Sequence, residues 1–213
     1  MRYGILGGTF DPIHYGHLRF AEEARELFAL DGVIFIPVGI PPHKDVNRIS
    51  PAELRLRMVK LAIAGNPLFC TSDIEISRPE MSYSVETIKE IKGQSGEEVE
   101  LYFLVGYDAF QEIGTWKDYQ ELLSLCHFVV ATRAGQGGGL PLEVAPLFWY
   151  DEDGGRYIHT SGHALYMVEV TALDISSTKI REAVRQGRSI RYLVPPQVEE
   201  LIRREDLYRN TGG

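Results

Sequence analysis

Cysteine is scarce in this chain: Cys70 and Cys126 are the only two among 213 residues. Each stands alone in an apolar run, the setting of reduced, buried thiols and not of a disulfide or a metal site. Basic clusters are missing as well. No run of Lys or Arg exceeds two residues, and 22 basic against 30 acidic side chains leave a net charge of −8. That balance excludes the basic face needed for nonspecific nucleic-acid binding. Long apolar runs are absent, so no membrane span is expected. The first residues read as a strand carrying Arg2, without the charged start and apolar stretch of an export signal. The expected compartment is the cytoplasm.

What is present is an alternation of apolar runs and amphipathic stretches. Strands are expected at 2–7, 32–37, 70–76, 99–105, 127–132 and 164–170. Helices are expected at 15–30, 51–65, 84–92, 107–113, 118–125, 177–187 and 196–204. The run 99–105 lacks clean alternation, which suits a strand covered on both faces. Ser50, Pro51 and Glu53 mark a helix start. This order predicts an α/β fold: an open, mostly parallel sheet flanked by helices, with ligands at the carboxyl ends of the strands. A hydrophobic content of 44% suffices for one core. The glycine-rich stretch 134–163 reads as a loop, a hairpin or a short insertion. The segment after Pro195 reads as a terminal helix packed back on the body.

The densest chemistry lies in residues 7–17, where the first strand breaks into Gly7-Gly8-Thr9-Phe10 and restarts at His14-Tyr15-Gly16-His17. The helix that follows carries an apparent apolar face at Leu18, Ala21, Ala24, Leu27 and Phe28. A strand that ends in glycine and resumes as a helix presents backbone N–H groups to a phosphate. Two histidines in a first helical turn are compatible with plain surface residues. A zinc pair is a second option, but no third ligand lies close by. They fit best as donors to an anion, beside Thr9 and the helix dipole. Gly16 would let a nucleotide approach the helix backbone.

A second cluster, Ile175-Ser176-Ser177-Thr178-Lys179-Ile180-Arg181, is a hydroxyl-rich helix start with cationic side chains one turn in. Residues 7–17 resemble the His-x-Gly-His signature of the nucleotidyltransferase superfamily, and 175–181 resemble its second signature. The resemblance implies a Rossmann-like nucleotidyltransferase domain over 1–213, with a core of about 1–175 and a C-terminal helical part of about 176–209. It also implies ATP as substrate, with Mg2+ carried on its phosphates and no metal held by the protein. The ATP contacts it implies are Gly7, Gly8, Thr9, Phe10, His14, Gly16, His17, Gly106, Asp108, Ile175, Ser177, Thr178 and Arg181. His17, His14 and Arg181 would be the catalytic groups.

Three further segments are similar to those of bacterial nicotinate-nucleotide adenylyltransferases. Pro41-Pro42-His43-Lys44 follows the second strand, and its Lys44 is expected at a substrate phosphate. Ser82-Tyr83-Ser84-Val85 precedes a helix, with Ser84 where the family usually has threonine. Gly106-Tyr107-Asp108 is followed by Trp116, with Tyr107 where Ala or Asn is commoner. Arg133-Ala134-Gly135 matches the family's Arg-Pro-Gly with the proline lost. The resemblance implies nicotinate mononucleotide at Lys44, Ser84, Val85, Tyr107, Asp108, Trp116 and Arg133. It runs from residue 1 to about 209 and is weakest over 134–163.

The implied reaction moves AMP from ATP to nicotinate mononucleotide, giving deamido-NAD and pyrophosphate in NAD biosynthesis. The attacking phosphate monoester has a second pKa of about 6 and is mostly dianionic at neutral pH, so no general base is needed. Alignment and stabilisation of phosphate charge remain as the catalytic terms. Two relatives compete. Pantetheine-phosphate adenylyltransferases share the first motif but are shorter and lack the Pro-Pro-His-Lys and Trp segments. A nicotinamide-mononucleotide-preferring homologue would differ in its acceptor. From another class, an ATP-sensing module without turnover is opposed by the intact histidines, Lys44 and Arg181. The expected partners are small molecules, with no nucleic acid and no membrane; a homo-oligomer stays open.

Overall fold

The computed structural model describes residues 1–42, 49–96, 98–133 and 139–209. Its strands are β1 (Arg2–Gly8), β2 (Gly32–Pro37), β3 (Phe69–Thr71), β4 (Glu100–Gly106), β5 (His127–Thr132), β6 (Phe148–Asp151), β7 (Arg156–His159) and β8 (Ala164–Glu169). The helices among the described residues are α1 (Tyr15–Leu27), α2 (Ala52–Ile63), α3 (Ser84–Ser95), α4 (Tyr107–Gln111), α5 (Tyr119–Leu125), α6 (Ser177–Arg185) and α7 (Pro196–Arg204). One sheet collects the strands in the order β3–β2–β1–β4–β5–β8–β7–β6. The pairs from β3 through β8 are parallel, and β7 pairs antiparallel with both β8 and β6.

The strand order follows from two-sided burial. Along β4, Leu101, Phe103 and Val105 face one core while Tyr102 and Leu104 face the other, and β5 alternates in the same way. Helices cover both faces, so these strands are apolar on both sides and show little contrast in sequence. The first core receives Phe20 and Ala24 of α1, Met58 and Val59 of α2, Ile180 of α6 and Leu201 of α7. The second receives Ile88 and Ile91 of α3, Phe110 of α4 and Leu122 of α5. β1 pairs with β2 on one side and β4 on the other. The chain therefore leaves the carboxyl ends of β1 and β4 in opposite directions, which opens a crevice between them.

Several expectations change in the structure. The strand expected at 70–76 is only Phe69–Thr71, because residues 74–77 coil into a turn. The helix expected at 107–113 ends at Gln111 and passes into a 3-10 turn at Ile113–Thr115. On α1, Phe20 takes the buried place and Leu27 is exposed. Cys126 is buried as expected, and its thiol is pushed up to about 12 by that burial, whereas Cys70, expected to be buried as well, is exposed. The unreadable stretch after 139 contains a β-hairpin: β6 and β7 extend the sheet antiparallel at its edge.

The loop after β2 is held by close backbone packing. Gly39 donates its N–H to Ser82 Oγ at 3.2 Å, and its carbonyl accepts from Arg55 at 3.1 Å. A Cβ at this position would stand 2.2 Å from the carbonyl oxygen of Glu75. Backbone cannot yield as a flexible side chain does. Gly39→Ala is therefore expected to destabilise the protein by roughly 1–3 kcal/mol, read as a lower urea midpoint with an unchanged slope. A midpoint equal to wild type would contradict the packing described.

Candidate active site

The crevice between β1 and β4 deepens into a cavity of about 600 Å³. Gly7, Gly8 and Thr9 line it from the end of β1, and His14, Gly16 and His17 from the start of α1. Gly106, Tyr107 and Asp108 line it from the end of β4, with Ile175 ahead of α6. A Cβ on Gly7 or Gly106 would meet nothing within 4 Å, so both lie bare against open space. Gly16 is tight: its Cβ would press on the His14 ring at 3.0 Å. Phe10 does not line the cavity. It is buried, adopts φ +49°, and packs edge-on against His17 with ring centroids 5.1 Å apart.

The two histidines form a stacked pair, with centroids 3.7 Å apart and planes tilted by 23°. The backbone N–H of His14 donates to His17 Nδ1 at 3.2 Å. Because Nδ1 accepts, a neutral His17 carries its proton on Nε2. His14 Nδ1 is buried and has no hydrogen-bond partner among the described residues. Burial lowers His14 to about 4. His17 lies well below the ordinary range through burial and the neighbouring His14. Both imidazoles are thus neutral N–H donors at neutral pH. An unpaired polar atom beside a cavity signals a ligand group, since such atoms otherwise find partners in the fold.

The second motif is brought against the first. Ser176 caps α6 by accepting from the N–H of Lys179 at 3.2 Å. Ser177 Oγ donates to Pro12 O at 2.8 Å, and Arg181 Nη1 donates to Asp11 O at 2.7 Å. Arg181 Nη2 also reaches Thr178 Oγ1 at 3.3 Å. Ser177, Thr178 and Arg181 are not cavity-lining; Ser177 and Arg181 grip the loop that is, and Thr178 accepts from Arg181.

At the far end, Tyr83, Ser84, Trp116 and Lys117 line the cavity, with Arg133 from the end of β5. Trp116 is half-buried and stands edge-on to Phe103 at 6.0 Å. Val85 is fully buried, so only its backbone can face a ligand. No side chain among the described residues caps the N-terminus of α3 at Tyr83, which leaves first-turn N–H groups for an anion. Lys44 lies outside the described residues.

Some residues at the site carry no motif. Glu75 is buried in the cavity wall, and its carboxyl is pushed up by burial while Thr87 Oγ1 donates to it at 2.8 Å. Arg55 and Asp11 are buried behind the loops, and Tyr208 donates to Asp11 Oδ1 at 2.6 Å. Arg55 had one readable signal: it falls on the same helical face as the buried Met58 and Val59, where a charge is out of pattern. Nothing local points to Tyr208.

Neutral burial of the histidines makes stability depend on pH. In the unfolded chain His titrates near 6.5, above the folded values, so below that pH the unfolded state binds more protons. Stability is whole above about pH 6.5 and is lost as pH falls toward 4, at up to about 1.4 kcal/mol per pH unit for each such histidine. His14→Asn is expected to flatten this dependence in urea unfolding between pH 7 and 4.5. A slope equal to wild type would show that His14 is not held neutral.

Comparison with known proteins identifies the family and the fold. The family model described as Cytidylyltransferase-like matches residues 5–183. A relative from Citrifermentans bemidjiense, named "Probable nicotinate-nucleotide adenylyltransferase", is 48% identical over 98% of both chains. A relative of the same name from Geobacter sulfurreducens is 45% identical over 100% of both. Among solved structures, the Plasmodium falciparum nicotinic acid mononucleotide adenylyltransferase complexed with NaAD superposes with a TM-score of 0.75 at 19% identity, covering 97% of each chain, and so shares the fold. With the paired motifs meeting at the β1–β4 crevice and the identity running through the whole chain, the protein belongs to the cytidylyltransferase-like family and, within it, to the nicotinate-nucleotide adenylyltransferases.

Proposed function

We propose that the protein transfers the adenylyl group of ATP to nicotinate mononucleotide, releasing pyrophosphate and forming deamido-NAD. The observation that carries this reading is one cavity lined at one end by the stacked His14–His17 pair and at the other by Trp116 and the uncapped start of α3. The triphosphate lies on Gly7–Thr9 and the start of α1, with Gly7 leaving the loop backbone bare and Gly16 making room for the His14 ring. His17 donates through Nε2–H to the α-phosphate, and the unpaired His14 Nδ1 faces the same ligand. Arg181 supports the β- and γ-phosphates through guanidinium donors other than the Nη1–H that holds Asp11 O, and Ser177 and Thr178 assist from the start of α6. Ile175 and Gly106 flank the nucleotide.

The acceptor's pyridine ring stacks on Trp116. Its carboxylate takes N–H donors from Ser84 and Val85 at the positive end of α3. An amide would need an acceptor as well, and helix N–H groups supply none; this favours the acid. Asp108 accepts from ribose hydroxyls, with Tyr107 beside it. Lys44 and Arg133 are assigned to the acceptor's phosphate side. The nucleophile is a phosphate dianion, so no base is called on, and the two neutral histidines act as donors. Mg2+ enters as part of MgATP. Among the described residues no cluster of three His, Cys, Asp or Glu could hold an ion, so its ligands are phosphate oxygens and water.

The chain acts as one nucleotidyltransferase domain in this reading. Two unpaired cysteines support a cytoplasmic setting, and no helix among the described residues is long and apolar enough to cross a membrane.

The direct test is pyrophosphate release from ATP with a panel of acceptors. Nicotinate mononucleotide is expected to be the best, ahead of nicotinamide mononucleotide and phosphopantetheine. Equal or better turnover with the amide would reject the assigned acceptor. Loss of one donor to the transition state typically costs 10²–10³ in rate, so His17→Ala should lower kcat by roughly that factor with a smaller change in the KM for ATP. Unchanged kcat would remove His17 from the α-phosphate.

A further inference from the structure

We propose that Arg55 is a positioning residue that sets the separation of the two substrate-bearing loops, and through it the in-line approach of the acceptor phosphate to the α-phosphorus. The proposal rests on the adenylyl-transfer reading above.

Arg55 is 2% exposed, sits on α2 behind the cavity and is not among its lining residues. Its guanidinium spans three chain segments. Nη1 donates to Thr9 O at 2.9 Å, Nη2 to Gly39 O at 3.1 Å and Nε to Ser50 O at 2.9 Å. Thr9 belongs to the loop after β1 that lines the nucleotide end. Gly39 belongs to the loop after β2, whose Val38, Pro41 and Pro42 line the same cavity. One rigid, planar group therefore joins the carbonyl of one loop to the carbonyl of the other.

Its charge makes this costly. Burial depresses the guanidinium below its ordinary range, and the favourable charges around it include Asp11, itself in the first loop. All three partners are neutral carbonyls, which compensate a buried cation only in part. An apolar side chain could fill the volume. What it could not do is hold two carbonyls at a fixed spacing, the property that distinguishes a guanidinium from an ammonium.

Spacing matters because phosphoryl transfer has little covalent chemistry for the protein to perform. Reacting atoms must meet at about 3–3.5 Å, and a displacement of about 1 Å costs roughly 10²-fold. Arg55→Lys keeps the charge but offers donors from a single point. It is expected to lower kcat about 10²-fold, while a nonhydrolysable ATP analogue and nicotinate mononucleotide, each titrated alone, bind as in wild type. Weakened binding of both ligands with kcat at saturation retained would overturn the proposal, because that is the pattern of an arginine that only supports the fold.

Should Arg55→Lys not fold, the wild-type protein gives a second readout. The 15N–1H resonance of the Arg55 Nη groups should shift when either ligand binds alone, since Nη1 holds one bridged loop and Nη2 the other. A resonance unmoved by both ligands overturns the proposal. Wild type that releases no pyrophosphate from ATP and nicotinate mononucleotide overturns the underlying reading. Active wild type beside Arg55→Lys with undiminished kcat overturns the Arg55 role alone.

Discussion

Asp11 receives hydrogen bonds from three distant parts of the chain. Its backbone carbonyl accepts from Arg181, one carboxylate oxygen accepts from Tyr208 and the other from the N–H of Ser50. Each donor lies on a different element: the start of α6, the segment after α7 and the lead into α2. A loop that must present bare glycines and N–H groups to a ligand cannot bury its own front. It has to be secured from behind, and the Asp11 carboxylate, 3% exposed, is the anchor. The nearby Arg55 guanidinium offsets its charge and reaches Thr9 O in the same loop. Remove this anchorage and the first motif is a flexible turn with no defined face.

The front of the loop carries the opposite electrostatics. Charge is balanced and buried behind it, whereas the cavity side holds neutral imidazoles, bare glycines and helix N-termini. Such a surface is positive through dipoles, with the cationic Lys117 and Arg133 elsewhere on the cavity wall, which suits an anionic ligand. The stacked histidines show the same economy: burial keeps them uncharged, and the His17 tautomer is set by one backbone N–H. The N-terminus of α3 and the grip of Ser177 and Arg181 on residues 11 and 12 extend this arrangement around the cavity.

Much of this was legible in the chain. The glycine break, the His14–His17 spacing and the hydroxyl-rich start of α6 are local patterns whose chemistry can be read residue by residue. The five parallel-paired long strands were visible as apolar runs, because burial on both faces requires them to be apolar throughout. Other features were hidden for equally physical reasons. The β6–β7 hairpin lies at the sheet edge, where Trp149 and Tyr150 are exposed and no core demands a pattern. Residues 74–76 alternate like a strand but turn instead, because Glu75 must be buried to receive Thr87. Phe10 looked like part of a ligand-binding turn, yet its ring props His17 from below.

By itself the sequence determined the kind of fold, the glycine break and histidine spacing on which the phosphate-binding proposal for residues 7–17 rests, and the family to which the two signatures belong. These depend on side-chain type and short spacing, which are properties of the chain alone. Tertiary structure decided what each residue faces. It made the histidines neutral, turned Ser177 and Arg181 toward the first loop, and placed Arg55 between Thr9 and Gly39. Those outcomes come from burial and from contacts such as Tyr208 on Asp11, 197 residues apart in the chain. A contact at that separation leaves no periodicity and no local motif; only packing of the whole sheet and its helices brings the partners together.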